Sequence, residues 1–351
     1  MSRNVKRRRE RGNGGAGAAG VRCENTVGAV AREAVASRAA VLLELLDGRP
    51  DRADAETVHD LRVASRRARE AVALFRKWAP RRTARRALDA AREVTRAFGA
   101  TRNADVGAAL LRGLGDGAWS RAAGALAARL ERRARDSRHD SDDAVGASRV
   151  AALRARLARF AGALETPRTA ADLDAIAPDE FVRRVVVKRV GRLFRRAESW
   201  GDPGNTEALH AARVAAKKLR YAIEILEPLF GRGYRERHEL LRAIQDALGD
   251  YHDVALLLEE ASQWERDGSP AMRTAGRGAW RALEARLLTA RRASHARFAG
   301  LMDGRAADAF AAYLLEPAAG AAAGRDAPKR AGRSTRAGRA AEAADPGVSA
   351  S

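Results

Sequence analysis

The sequence holds a single cysteine, Cys23. One thiol closes no disulfide framework and no thiolate metal cage within the chain, and a reducing, cytoplasmic setting is expected. Aromatic residues make up only 5% of the chain and β-branched residues are sparse. Strands draw on those residue types, so a sheet-based fold is disfavoured. No stretch approaches the ~20 uncharged apolar residues of a membrane span. The basic start, Met1 to Arg9, runs on into Gly and Ala rather than into the apolar segment that export requires. No membrane partner is therefore expected.

Catalytic signatures are equally thin. There is no GxxxxGK[ST] loop, and His139, His238, His252 and His295 show no metal-ligand spacing. The nearest acidic cluster, Asp140 to Asp143, falls in an expected loop. Neither an enzyme nor a metal or other cofactor is expected.

What is abundant points one way. Ala, Leu, Arg and Glu, strong helix formers, dominate most windows, so the expected fold class is all-α. Length and a hydrophobic fraction of 46% supply ample core for 351 residues. Lys and Arg total 66 against 45 Asp and Glu, a net of +21. The segments 1–22 and 318–351, rich in Gly, Ala and Arg and without apolar periodicity, read as disordered basic tails of +6 and +3. The remaining 23–317 still carries +12, so the folded part is itself basic and a polyanionic partner is implied.

Helical patterning between the tails breaks at Asp47 to Pro50, Leu114 to Gly117, Asp136 to Ser148, Pro167 to Pro178, Gly201 to Gly204, Phe230 to Gly233 and Asp267 to Pro270. The intervals suit helical bundles with short loops. Internal repetition is more informative. Val58 to Arg69 aligns without gaps on Leu209 to Arg220 at an offset of 151. A weaker match, Phe98 to Asn103 with Leu248 to Asp253, follows at an offset of 150. Two matches in one order predict a duplicated unit, repeat one at about 24–166 and repeat two at about 178–316, with the boundary in the Pro167 to Pro178 loop.

A helical residue turns by about 100°, so with His59 at 0°, Arg69, Arg62 and Arg66 fall at roughly 280°, 300° and 340°. Leu61, Ala64, Ala68, Val72 and Phe75 fall opposite, and Ala212, Ala215, Leu219, Ile223 and Leu226 do so in the second copy. Each helix should bury one side and present His and Arg on the other. A solvated face normally alternates charge sign, whereas only Glu70 offsets this stripe. Multivalent anionic oxygens would compensate, because guanidinium forks bind phosphate bidentately. His59 and His210 admit two roles, donation to a phosphate or a structural bond at the helix start. The Gly99 and Gly249 segments read as helix junctions. There Asn103 and Asp253 serve as N-caps, or free backbone N–H groups face an anion.

The signature His-x-x-Arg-x-x-x-basic-basic-x-Arg, present twice and each time followed by a Gly-x-x-x-Asp-like junction, resembles the CHAD domain, the conserved histidine α-helical domain. The resemblance covers roughly 24–316. It implies two four-helix-bundle repeats related by a pseudo-twofold, binding of inorganic polyphosphate and association with polyphosphate granules. Ligand-contacting positions carried over from the family are His59, Arg62, Arg66, Arg67 and Arg69, with His210, Arg213, Lys217, Lys218 and Arg220. Upstream helices add Arg38, Lys188, Arg189 and Arg192. Two departures stand out: Arg102-Asn103 where the family has Arg-Asp, and His252 where Arg or Asn is commoner. Nothing resembles the Glu-x-Glu-x-Lys of a CYTH domain, so a stand-alone CHAD protein is expected. Alternative readings are a basic nucleic-acid-binding protein, short of the interleaved aromatics that stack bases, and an accessory subunit in phosphate metabolism. The oligomeric state is left open.

Overall fold

A computed structural model describes residues 25–48, 54–195, 197–230, 234–266 and 270–316. The tails expected at 1–22 and 318–351 lie outside the described residues, as do 49–53, 231–233 and 267–269 in three of the expected breaks. The described chain is all-α: α1 Val27–Asp47, α2 Ala55–Phe75, α3 Arg81–Ala97, α4 Gly99–Arg112, α5 Ser120–Ala144, α6 Ala147–Glu165, α7 Pro167–Asp174, α8 Pro178–Phe194, α9 Ala197–Trp200, α10 Thr206–Phe230, α11 Tyr234–Arg266, α12 Pro270–Ala275, α13 Arg277–Met302 and α14 Ala307–Leu315. A 3-10 turn, Arg76–Trp78, links α2 to α3.

Local chemistry accounts for the helix starts. The Thr26 hydroxyl accepts from the Ala29 N–H at 3.1 Å, and the Asp54 carboxylate accepts from the Thr57 N–H at 2.7 Å, each satisfying a donor that a first turn leaves free. Pro167 and Pro178 occupy the first position of α7 and α8, where a missing N–H costs nothing. The Pro167 to Pro178 segment is thus a short helix between two helix starts, and not the loop its prolines suggested. The expected break at Asp136 to Ser148 shrinks to Val145-Gly146, because α5 runs on to Ala144. The acidic cluster Asp140 to Asp143 therefore lies on a helix. Arg138 of that helix donates to Asp105 of α4 at 2.8 Å.

The apolar faces assigned by helical periodicity are the buried ones. Leu61, Ala64, Ala68, Val72 and Phe75 are buried on α2, and Ala212, Leu219, Ile223 and Leu226 on α10, with Ala215 half-buried. They enter a core shared by α1, α2, α3, α6, α8, α10, α14, the N-terminal half of α11 and the C-terminal half of α13. The few aromatics are concentrated there. Phe75 of α2 stacks on Phe181 of α8 at 5.9 Å, and Trp200 meets Phe298 edge-on at 5.3 Å. A second core joins α4 and α5 to α12 and the remaining halves of α11 and α13, around Trp264 and Trp280.

Helix α1 packs on α2 and α6 as α8 packs on α10 and α14, while α4 pairs with α5 as α11 pairs with α13. This order of partners is compatible with duplication. The two copies differ at the second matched motif. α3 ends at Ala97 with Phe98 as its C-cap and α4 begins at Gly99, whereas α11 continues through Gly249 without interruption. Asn103 lies a turn inside α4 and Asp253 deep within α11, so neither is an N-cap; α11 has no helix start at Gly249, whereas α4 begins at Gly99 without a side-chain cap.

Candidate functional site

Helices α2 and α10 pack against each other and bring the two basic motifs together. The central group is His59, Arg62 and Arg66 from α2 with His210, Arg213 and Lys217 from α10. Arg62 is only 8% exposed. Its Nη1 donates to the Thr95 carbonyl at 2.8 Å, one of the carbonyls that the end of α3 leaves without an intrahelical partner. The cation thus also faces the negative end of that helix. Thr95 is held in turn, its hydroxyl bonded to Ser65 at 2.8 Å and donating to the Ala91 carbonyl.

The equivalent Arg213 finds no helix end, because α11 is unbroken. It faces the Asp253 carboxylate instead, at 3.9 Å. Its Nε is buried without a hydrogen-bond partner. The junction in one copy and the carboxylate in the other are two answers to one need, an acceptor for an arginine drawn out of solvent.

No such answer exists for Arg66 and Lys217. Among the described residues neither is in an ion pair. Burial, together with Arg213 and Arg66, pulls the Lys217 ammonium down to about 6, with Asp253 opposing. Burial and the charges of Arg66, Arg102 and Arg213 lower Arg62 to about 10, so it stays charged at neutral pH. Both signature histidines are exposed. Burial of the ring and neighbouring cations lower His59, and the same two causes lower His210. The His210 ring lies 5.0 Å from that of His252, which burial and Arg213 lower to about 3. Burial raises Asp253 despite the opposing pull of Arg213. The centre therefore holds an excess of cations whose own charges are disfavoured.

Most of the other predicted residues gather around two carboxylates. On one side Glu224 pairs with Arg220 and with Arg67 at 3.5 Å, while the His238 Nε2 lies 2.9 Å away. Arg220 also donates to Gln245 at 2.8 Å. Burial lowers the Arg38 guanidinium, with Glu224 opposing. On the other side the buried Glu70 pairs with Arg189, which also donates to the Lys218 carbonyl at 2.8 Å. Burial lowers both Arg69 and Lys218, with Glu70 opposing in each case. Lys188 is exposed and lowered by Arg192, then by Lys77.

Sequence reasoning missed Arg102, whose charge bears on both His59 and Arg62. The signal was present, since Arg102 sits in the second matched motif opposite His252. It also missed Glu224, one helical turn beyond Arg220 and so in reach of it. Among the described residues no group of three or more His, Cys, Asp or Glu is placed to hold a metal ion, and no helix is long and apolar enough to cross a membrane.

Comparison with known proteins adds to this geometry. The fold is similar to the crystal structure of the CHAD domain from the plant Ricinus communis, with a TM-score of 0.51 and 24% identity over 82% of this chain and 90% of that one. It is also similar to PptA from Streptomyces chartreusis, with a TM-score of 0.59 and 17% identity over 79% and 99%. At these identities the likeness is one of fold. No curated protein matches the sequence significantly. The sequence profile of the CHAD domain matches residues 33–262, which include both basic motifs and both flanking carboxylates. On that match, the chain belongs to the CHAD domain family.

Proposed function

We propose that this protein binds inorganic polyphosphate, without turning it over, through the cations between α2 and α10. The observation that carries this reading is the unpaired couple Arg66 and Lys217, set among Arg62, Arg213 and the two exposed histidines. Like charges at this spacing destabilise a free protein. A ligand with closely spaced anionic oxygens supplies the missing partners and restores the Lys217 charge. The buried Arg213 Nε, a donor with no acceptor, points the same way. A polyphosphate chain offers such oxygens at every unit and needs no groove for bases. Targeting to polyphosphate granules, and a role beside enzymes of phosphate metabolism, would follow from binding of this kind.

The test is a salt series of polyphosphate binding with ATP and duplex DNA as competitors. Affinity should fall linearly with salt on logarithmic axes as counterion release is lost. Polyphosphate should displace DNA at far lower phosphate concentration than the reverse. Binding that survives near-molar salt, or survives joint charge reversal at Arg66 and Lys217, would end this reading. Phosphate release from polyphosphate with Mg²⁺ or Mn²⁺ would end its non-catalytic part.

A further inference from the structure

Helix α3 carries a charge excess that neither the fold nor the central cluster uses. Its buried face is Ala84, Ala87, Ala90, Ala91 and Val94. Arg81, Arg82, Arg85, Arg86, Arg92 and Arg96 are all exposed, and Asp89 and Glu93 are the only acids beside them. Arg85 and Arg92 pair with Asp89 at 3.7 and 3.1 Å. Among the described residues Arg81, Arg82, Arg86 and Arg96 are in no ion pair.

Two observations show that helix stability is not the reason for this face. First, Arg81 and Arg82 occupy the first turn of α3, which has no side-chain cap and no acid. The helix macrodipole favours anions there and penalises cations. Second, the other copy fills the same positions differently. At the offset of 150 the described counterparts of Arg85, Arg86, Asp89, Arg92, Glu93 and Arg96 are Arg235, Glu236, Glu239, Arg242, Ala243 and Asp246, which sum to −1 against +2 on α3. The fold tolerates a balanced face at this place.

The face also leads out of the centre. The C-terminal turn of α3 holds Arg62 through Thr95, and the charge of Arg92 bears on Arg69. Just before α3, Arg76 and Lys77 bear on Lys188. Basic side chains thus continue from Arg66 and Arg69 along α3, a further ~25 Å for its seventeen residues.

We infer that the outward face of α3 is a second part of the binding site, a track that takes further phosphates of a long polyphosphate chain whose leading part occupies the centre. This rests on the polyphosphate reading of the central cluster. It commits the protein to long chains, since a triphosphate is too short to use the track. It also makes binding one-sided, because only the first copy extends it.

The experiment compares the double variant Arg82→Glu/Arg86→Glu with Arg235→Glu/Arg242→Glu, which reverses the same number of charges on the balanced face of α11. Glu at position 82 suits the start of a helix, and circular dichroism confirms folding. The track variant should bind long-chain polyphosphate about tenfold or more weakly, with a salt slope smaller by about 2. The control should stay within about twofold of the unmodified protein. Equal losses in both variants would show a general charge effect and overturn the track. No loss on α3, with loss on reversing Arg66 and Lys217, would overturn the track and leave the central reading standing. Failure of the unmodified protein to bind polyphosphate of any length would remove the central reading itself. Duplex DNA that binds as tightly as polyphosphate and loses the same factor in the α3 variant would assign the face to nucleic acid and overturn the proposal.

Discussion

The Arg62 guanidinium donates to the Thr95 carbonyl at 2.8 Å, so one of the site's cations also closes the end of α3. Its neighbour Arg66, one turn on, has no such duty. The two residues should respond in opposite ways to truncation. Arg62→Ala removes the partner of the part-buried Thr95 carbonyl and should cost about 1 kcal/mol. Arg66→Ala removes a like-charge contact and should be neutral or slightly stabilising. Urea unfolding of the two variants reads this directly, and a stable Arg62→Ala protein would refute the capping role.

Burial and neighbouring cations hold Lys217 at about 6 and depress His59 and His210. A bound polyanion favours the protonated form of all three. Binding near neutral pH should therefore take up protons, and affinity should rise as pH falls from about 8 to 5.5. The sign for folding is the reverse. The folded state holds fewer protons at Lys217 than the unfolded chain between about 6 and 10.5, so this group adds stability as pH rises through that window. Calorimetry in buffers of different ionisation enthalpy measures the uptake, and Lys217→Met should diminish it.

Glu224→Gln should separate stability from affinity. The substitution weakens the anchor of Arg220 and Arg67, which should cost up to about 3 kcal/mol for the half-buried arrangement. It also adds one net positive charge beside the site, so polyphosphate affinity should rise or hold. Affinity and stability falling together would mean that the site cannot form without this carboxylate.

Gly249 lies inside α11 with open space where a Cβ would go. Gly249→Ala should stabilise the protein by up to about 1 kcal/mol, the ordinary difference between these residues in a helix. A neutral or destabilising outcome would mean that the chain turns here, as it does at Phe98 and Gly99.

The helix faces of α2 and α10 were legible because a 3.6-residue period forces Leu61, Phe75, Leu219 and Leu226 to one side, whatever the tertiary context. The central cations were legible for the same reason, reinforced by repetition. The Gly99 motif marks a helix junction as expected, but its Gly249 counterpart misled, because a glycine permits a helix to end without requiring it. What decides is whether the acceptor for the neighbouring arginine is a free carbonyl, as for Arg62, or a side chain, as for Arg213. Prolines 167 and 178 read as loop although each begins a helix, since the same missing N–H serves both. The grouping around Glu70 and Glu224 was out of reach, because Arg189 and His238 meet them only through tertiary packing.

Helix α11 spans 33 residues, a rod of ~50 Å. Leu241 and Ile244 lie in one core, Leu257 and Trp264 in the other, and His252 and Asp253 come between them at the site. A shared rod leaves the two cores no independent melting. Loosening around Trp264 is transmitted along unbroken backbone to the partners of Arg213. The protein should therefore lose both cores in a single calorimetric transition, and a ligand seated at its centre should raise the midpoint of that whole transition.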